Sequence, residues 1–486
     1  MKKILLITPP YHCGVLESAG SWLHVGFVYI AGSLRKAGFD VEIYDAMTKF
    51  HTFEEIRAKI EEMKPDVVGS TAYTASIYEG INVLRVAKEV DPSIVTFIGG
   101  IHATFCQDEI LQDEHDCVDY VIRGEGELTT TDLLTHVFSE NDVSDVSGIS
   151  YWKDGVVSTP DRPFIEELDA LSPAWDLVEW DDYSFRTKKD SILAVVSSSR
   201  GCMEKCSFCS QQLFWKRTWR GRSPENFVSE LEYLNKTYGV DVVMIADEIP
   251  TYDRDRWVQI LDLLIEKDLN VEILMETRVD DILRDEDILD KYYKAKVLHI
   301  YVGVESASQD TLDIFNKNLM IEQSKKAIGL INKAGIISET SFVLGMPNDT
   351  KESIQKAVNL AKEYNPDLAF FLAIAPWPYS EIYEILKPHV KVFDYSKYNL
   401  VEPVIKPEKM TLEELNQSLL DAFREFYTFK LSNLDKMSDF KRNYMIEVTK
   451  LLVNHSYLAD QMKGVGKMPE EITKLLDGIL ETPEQS

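Results

Sequence analysis

Cys202, Cys206 and Cys209 form a CxxxCxxC run, three thiols within eight residues, directly after a β-branched segment and a Ser199, Arg200, Gly201 turn. Three thiolates on one short loop can wrap one face of a [4Fe-4S] cube, which takes four ligands, so one iron is left open for a ligand from outside the chain. Zinc is the poorer reading, because a structural zinc site uses two CxxC pairs or added histidines and none follows closely. Three merely buried cysteines would account neither for the spacing nor for the strand before it. The other three, Cys13, Cys106 and Cys117, share no spacing and read as small buried hydrophobes, although Cys13 and Cys106 lie near expected ligand loops.

The elements that must position this loop follow from periodicity. From 191 to 400, short strand-like runs at 192–197, 240–246, 271–276, 297–304, 339–344 and 368–375 alternate with helical stretches, which predicts a partial (β/α)6 barrel. Residues 1–137 show the same alternation, with strands at 4–8, 41–45, 66–71, 94–98 and 119–122 and helices such as 22–36 and 53–63. That is a doubly wound, Rossmann-like α/β domain, whose ligands sit beyond the carboxyl ends of the strands. Its ligand loops are then 9–14, 70–74, 99–104 and 124–127. Residues 138–190 lose the period and read as a connector with an exposed hairpin at 149–157. The region 401–486 is helical by period, with Leu412, Leu415, Leu419 and Phe423 on one face and a polar, frayed end from Glu481.

Composition bounds the function. The chain has 486 residues, 45% apolar and 27% charged, so several cores are buried and disorder is excluded. With 52 basic against 81 acidic residues the net charge is −29, which repels phosphate backbones and anionic lipid and argues against nucleic acid. Pro9 and Pro10 stop the first apolar run short of a signal peptide, and no apolar stretch reaches spanning length, so a cytoplasmic protein without a membrane span is expected. In a reducing compartment six cysteines in so long a chain suggest metal binding rather than disulfides. The basic and aromatic patch Trp215, Lys216, Arg217, Trp219, Arg220, Arg222 reads as cofactor and barrel-edge packing, or as a docking surface for an acidic substrate.

The cysteine run and the segments downstream of it resemble the radical S-adenosylmethionine (SAM) superfamily over nearly all of residues 191–380. The resemblance runs through Arg220 to Glu225, with Ser223 as a helix N-cap and Pro224 at the first helical position. It continues at Asp247 and Glu248, at Thr277, Arg278 and Val279, at Gly303 to Ser306, at Lys317, and at Leu344 to Pro347 with Thr350. It implies that SAM chelates the open iron, that Phe208 packs its adenine, that Glu248 receives its amino group, that Arg278 pairs with its carboxylate and that Glu305 holds its ribose. Each charged residue has the alternative of a structural ion pair inside the barrel. After the last strand, members often carry Pro, aromatic, Pro, Gly, Thr, whereas this chain has Pro376, Trp377, Pro378, Tyr379, Ser380. Tyr379 is therefore expected to narrow the barrel mouth, and Tyr379 or Tyr73 is expected to donate a hydrogen bond to substrate or to gate it.

The first domain resembles the cobalamin-binding domain found upstream of one large radical SAM branch, on Pro9, Pro10, Gly38 to Asp45, Gly99, Gly100, His102 to Thr104 and Arg123 to Glu127. Cobalamin contacts are expected from Pro10, Tyr11, His12, Thr71, Ala72, Gly99, Gly100, His102, Thr104, Gly124 and Glu125. Gly99 and Gly100 would let backbone approach the macrocycle, Thr104 would bond the nucleotide tail or a corrin amide, and His102 would orient a corrin amide. The DxHxxG motif of histidine-ligated cobalamin proteins is absent after the first strand, and the fragment Asp113, His115 is misplaced. His12 reads as a loop-packing histidine, with ligation the lesser alternative.

Together the resemblances imply a [4Fe-4S] cluster, SAM and cobalamin. They imply methylation of an unactivated carbon through methylcobalamin and a 5′-deoxyadenosyl radical, on a protein, peptide or small-molecule substrate, with an electron donor such as ferredoxin or flavodoxin. A glutamine of methyl-coenzyme M reductase is one carbon this resemblance suggests. The competing readings are a cyclase or rearrangement enzyme with the same domain pair, and a cobalamin sensor or carrier with a structural cluster. RNA methylthiolation would want a basic tail, which 411–486 does not offer.

Overall fold

The computed structural model describes residues 1–13 and 19–455. Gly14 and the polar end from Glu481 lie outside them. The first domain is a sheet of order β2-β1-β3-β4-β5-β6-β7, built from β1 (Lys3–Ile7), β2 (Asp40–Tyr44), β3 (Val67–Thr71), β4 (Val95–Gly99), β5 (Tyr120–Ile122), β6 (Ile149–Trp152) and β7 (Val156–Ser158). β1 to β5 are parallel. β1 and β3 are buried on both faces; β1 is accordingly apolar from Ile4 to Ile7, while β3 ends in the buried Ser70 and Thr71. The order reverses between β1 and β3, so the loops after those strands diverge and leave a crevice at the carboxyl edge.

One boundary differs from the sequence-based expectation. The hairpin of β6 and β7 is no free connector but pairs antiparallel with β5, Ile122 opposite Ile149, and extends the sheet. Ile149, buried on the core side, is what holds it there. The remainder of the connector is a string of single turns whose Trp175 and Trp180 sink into the barrel core. Its Tyr183 hydroxyl donates to Asp45 at 2.7 Å, and the same carboxylate accepts from Thr8 at 2.7 Å, so the end of β1 is tied to the barrel side of the molecule.

The second sheet runs β8 (Leu193–Val196), β11 (Val242–Ile245), β12 (Glu272–Thr277), β13 (Val297–Glu305), β14 (Ile337–Leu344), β15 (Leu368–Ala373), all parallel and in sequence order. These are the six strands that periodicity predicts. Between β8 and β11 a two-stranded ribbon pairs β9 (Ser199–Gly201) with β10 (Trp219–Gly221), so the turn expected before the cysteines is a short strand. Ser223 caps the helix Pro224–Tyr238 by accepting from the Asn226 amide, with Pro224 at the first position. Helix Leu412–Leu431 opens on a Thr411–Glu414 capping box and buries Leu415, Leu419 and Phe423 against helix Lys351–Tyr364 and β15. Helix Asp439–His455 follows it. Among the described residues no helix is long and apolar enough to cross a membrane.

Candidate active site between the two domains

The cysteine loop is fastened on several sides. The Ser207 amide donates to the Phe315 carbonyl at 2.9 Å, the Ile382 amide donates to the Ser207 carbonyl at 3.0 Å, and Asn316 holds the Lys205 carbonyl at 2.9 Å. Burial pushes the Cys202 and Cys209 thiols up to about 11 and about 12, and each is raised further by its neighbouring thiol. Cys206 is raised by burial too, while the nearby Lys317 and Arg278 oppose the shift. Three mutually repelling thiols, with two fixed cations and the amides of Gln211 and Gln212 turned towards them, suit an iron cluster, whose charge reverses the penalty on the thiolates.

The groups expected around SAM converge on the same end of the barrel. Glu248, after β11, accepts from the Gly201 amide at 3.0 Å and from Trp215 Nε1 at 2.6 Å, which aims it beside the start of the cysteine loop. Burial raises its pKa above the usual carboxylate value, so a cation brought to it would be gained at full strength. Arg278 lies beside the cysteines and touches Glu204 and Asp280 at 3.5 and 2.9 Å. Phe208 stacks at a tilt on Phe315, ring centroids 4.9 Å apart. Glu305 already holds a partner inside the barrel, Lys317 at 2.7 Å. A Cβ at Gly303 would lie 2.0 Å from Glu305 Oε1, which explains a glycine two residues before it.

Across the gap, several residues expected to touch cobalamin also join protein to protein. Glu125 accepts from Arg200 at 2.7 Å and from Arg220 at 3.1 Å, and Arg200 also reaches Glu127 at 2.6 Å. The Glu125, Gly126, Glu127 motif is thus a buried ionic clamp from the first domain onto the β9–β10 ribbon. Thr104 donates to the Gly100 carbonyl and accepts from the Gly124 amide, so it bridges two loops. Tyr379 turns onto the first domain, its ring stacked on Phe105 at 4.8 Å and its hydroxyl 2.8 Å from Thr74 Oγ1. Tyr11 donates to the Ser396 carbonyl at 2.7 Å. His12 stacks flat on Phe50, centroids 4.2 Å apart, as a loop-packing residue. In the basic patch Arg222 pairs with Glu230 inside the fold, while the exposed Lys216 and Arg217 pair with Asp161 and Glu381 at the surface.

Pro10, Thr71, Ala72, Gly99, Gly100 and Gly124 stand at or just beyond the carboxyl ends of β1, β3, β4 and β5. The two glycines differ in role. Gly100 has φ of +94°, and a Cβ there would meet the Ala72 carbonyl at 2.6 Å and Thr71 Oγ1 at 2.8 Å, whereas at Gly99 the nearest atom is 3.7 Å away. The chain's own β3 end, not a ligand face, demands the second glycine. Gly100→Ala is expected to cost about 2 kcal/mol and Gly99→Ala to stay within about 0.5 kcal/mol; urea midpoints of the two variants check this.

His102 is 1% exposed and its Nδ1 lies 3.2 Å from Thr74 Oγ1. Burial lowers its pKa to about 4 from 6.5. A base depressed in the fold binds protons more readily when unfolded. Its stabilisation is therefore complete above pH 6.5 and is lost, up to about 3 kcal/mol, as pH falls towards 4. His102→Gln is expected to flatten the pH dependence of unfolding in that window, measured by denaturant titration between pH 7 and 4.

Residues 11–134 match the B12 binding domain family and residues 196–361 match the radical SAM superfamily. An anaerobic magnesium-protoporphyrin IX monomethyl ester cyclase of Rubrivivax gelatinosus is 41% identical over 434 residues, 88% of this chain and 78% of the relative. The chain belongs to the cobalamin-binding radical SAM family. An uncharacterized methyltransferase of Pyrococcus horikoshii is 31% identical over 87% of this chain and 92% of its own length. The structure of the radical SAM methyltransferase TsrM from Kitasatospora setae, with cobalamin and a [4Fe-4S] cluster bound, superposes with a TM-score of 0.69 at 14% identity, covering 93% of this chain and 99% of that one. As a cobalamin-binding radical SAM enzyme, the chain uses a cluster, SAM and cobalamin, and the cysteine loop and the crevice described above fit them.

Sequence reasoning missed the polar groups inside the barrel of this cobalamin-binding radical SAM protein. Glu276, His299, Tyr301 and Glu339 all line the lumen. The signal was present: buried parallel strands should be apolar throughout, yet His299, Tyr301 and Glu305 stand at alternate positions of one strand, and Glu339 and Ser341 on the next.

Proposed function

We propose that this enzyme removes a hydrogen atom from an unactivated carbon of a largely apolar small molecule held where the cobalamin domain faces the barrel mouth. Tyr73 carries the reading. It follows β3 of the first domain, feels the charge of Glu248 on the barrel and is 65% exposed, which supports open space beside it for a substrate. When bound, the cluster, SAM and cobalamin supply an electron, a 5′-deoxyadenosyl radical and a methyl or redox partner. The chain's residues anchor and orient. Cys202, Cys206 and Cys209 leave one coordination position open, Glu248 takes the amino group, Arg278 the carboxylate and Phe208 the adenine. Tyr73 presents its hydroxyl to the substrate. The ionic clamp and the Tyr379–Thr74 contact fix the distance across which the carbon must be reached.

Two fates of the substrate radical are distinguished by relatives. Ring-forming oxidation is supported by the 41% identical cyclase, whose named tetrapyrrole ester also favours a small molecule over a glutamine of methyl-coenzyme M reductase. C-methylation is supported by the 31% identical methyltransferase, matched over 92% of its length. The first has the stronger support. Anaerobic turnover with tetrapyrrole candidates is expected to yield 5′-deoxyadenosine without coupled S-adenosylhomocysteine. Equal amounts of both, with gain of a methyl group by the product, would replace cyclisation by methylation.

A further inference from the structure

A second site lies deeper in the barrel. A cavity of about 250 Å³ occupies the lumen towards the amino ends of the strands, bounded by Met244, Leu274, Phe370, Trp22, Val448 and Leu452. His299 is six residues before Glu305 on β13, roughly 20 Å along the strand at the usual rise per residue, so that end of the cavity is far from the cluster loop, while Glu276 stands nearer to it, two residues before Arg278. Three segments distant in sequence close it: the stretch around Ala19 and Trp22, the connector at Phe185, and helix Asp439–His455 with Tyr444, Val448 and Leu452. The cavity holds the volume of roughly eight liquid waters. Its walls are chiefly apolar, which is a poor environment for water.

Its polar lining combines two carboxylates, Glu276 and Glu339, with Thr187, His299, Tyr301 and Tyr444. Glu276 opens onto the cavity with its side chain exposed there, and makes no hydrogen bond or ion pair among the described residues. Glu339 lies beside it and pairs with His299 Nε2 at 2.8 Å, while His299 Nδ1 meets the Tyr444 hydroxyl at 3.3 Å. Burial, together with Glu339, Glu248 and Glu305, pushes the Glu276 carboxyl up to about 7, against a smaller opposing effect of His299. An unpartnered carboxylate amid other carboxylates attracts a cation or an N–H donor and repels an anion.

We propose that this cavity is a binding site for an amine-bearing apolar group, its hydrocarbon or aryl body filling the space between Leu274, Phe370 and Val448 and its ammonium end bonding Glu276. A carboxylate-ended group of the same shape is excluded. The site does not depend on the radical chemistry, and its test needs no SAM cleavage, so either reading can fail alone.

The test is calorimetric titration of the full chain with 4-phenylbutylamine and with 4-phenylbutyrate. The amine is expected to bind with one-to-one stoichiometry and the acid about tenfold more weakly or not at all. Glu276→Gln is expected to weaken the amine about tenfold, and Val448→Trp, which fills the cavity from its closing helix, to abolish binding at an unchanged melting temperature. Should Val448→Trp melt early, Leu452→Trp on the same helix face serves the same purpose. Equal binding of acid and amine, no binding of either, or amine binding that survives both tryptophan variants overturns the proposal.

Discussion

Replacing Cys202, Cys206 and Cys209 together by alanine is expected to take anaerobically reconstituted protein from about four irons per chain to none, and to abolish 5′-deoxyadenosine formation, while cobalamin binding persists. The three thiols sit on a loop tied to Phe315, Ile382 and Asn316 through its backbone, so their loss leaves the loop's anchors in place. The first domain has its own cores, around Leu5, Val68 and Ile98 on one face and Leu6, Phe27 and Phe97 on the other. It shares none of the cysteines of the run. Iron assay and the visible spectrum of bound cobalamin read the two halves independently. An iron content unchanged in the triple variant would remove the barrel's cofactor, and with it the chemistry assigned to the site.

Arg200→Met is expected to destabilise the chain by about 3–5 kcal/mol, because it strips one member from a buried ionic group and leaves Glu125 and Glu127 short of a cation. The side chains of Arg200, Glu125 and Glu127 are 11%, 5% and 5% exposed, so water cannot take the lost partner's place. Arg220 still holds Glu125 through 3.1 Å contacts, so Glu127 suffers most. Arg200→Met combined with Glu127→Met is expected to recover a good part of the loss, since the uncompensated charge goes with its partner. Denaturant unfolding of the single and double variants measures the coupling. A single variant as stable as the parent would mean that the two domains are not held by this clamp.

Much of the architecture is legible in the sequence because it rests on local signals. All six barrel strands follow from short apolar runs, Ser223 and Pro224 mark a helix start by residue type alone, and the cysteine spacing names its own cofactor class. Pairing across long separations is hidden. Glu125 and Arg200 stand 75 residues apart, and Thr74 and Tyr379 stand 305 apart, so nothing local shows that the expected ligand loops also make domain contacts. The hairpin at β6 and β7 reads as exposed because its strands are short and half polar, and only the free edge of β5 gives it a place. The lumen carboxylates are hidden for a different reason. Their role depends on the closing helix Asp439–His455, whose pattern says only that it is amphipathic.

If the two domains form one radical enzyme, the decisive measurement is SAM cleavage by the full chain. Reconstituted, reduced and kept free of oxygen, the wild-type protein is predicted to release methionine and 5′-deoxyadenosine in at least stoichiometric amounts. Glu248→Ala, which removes the charge-assisted partner of the amino group, is predicted to suppress that release while keeping its iron. A fully loaded cluster that leaves SAM intact under one-electron reduction would contradict a radical enzyme.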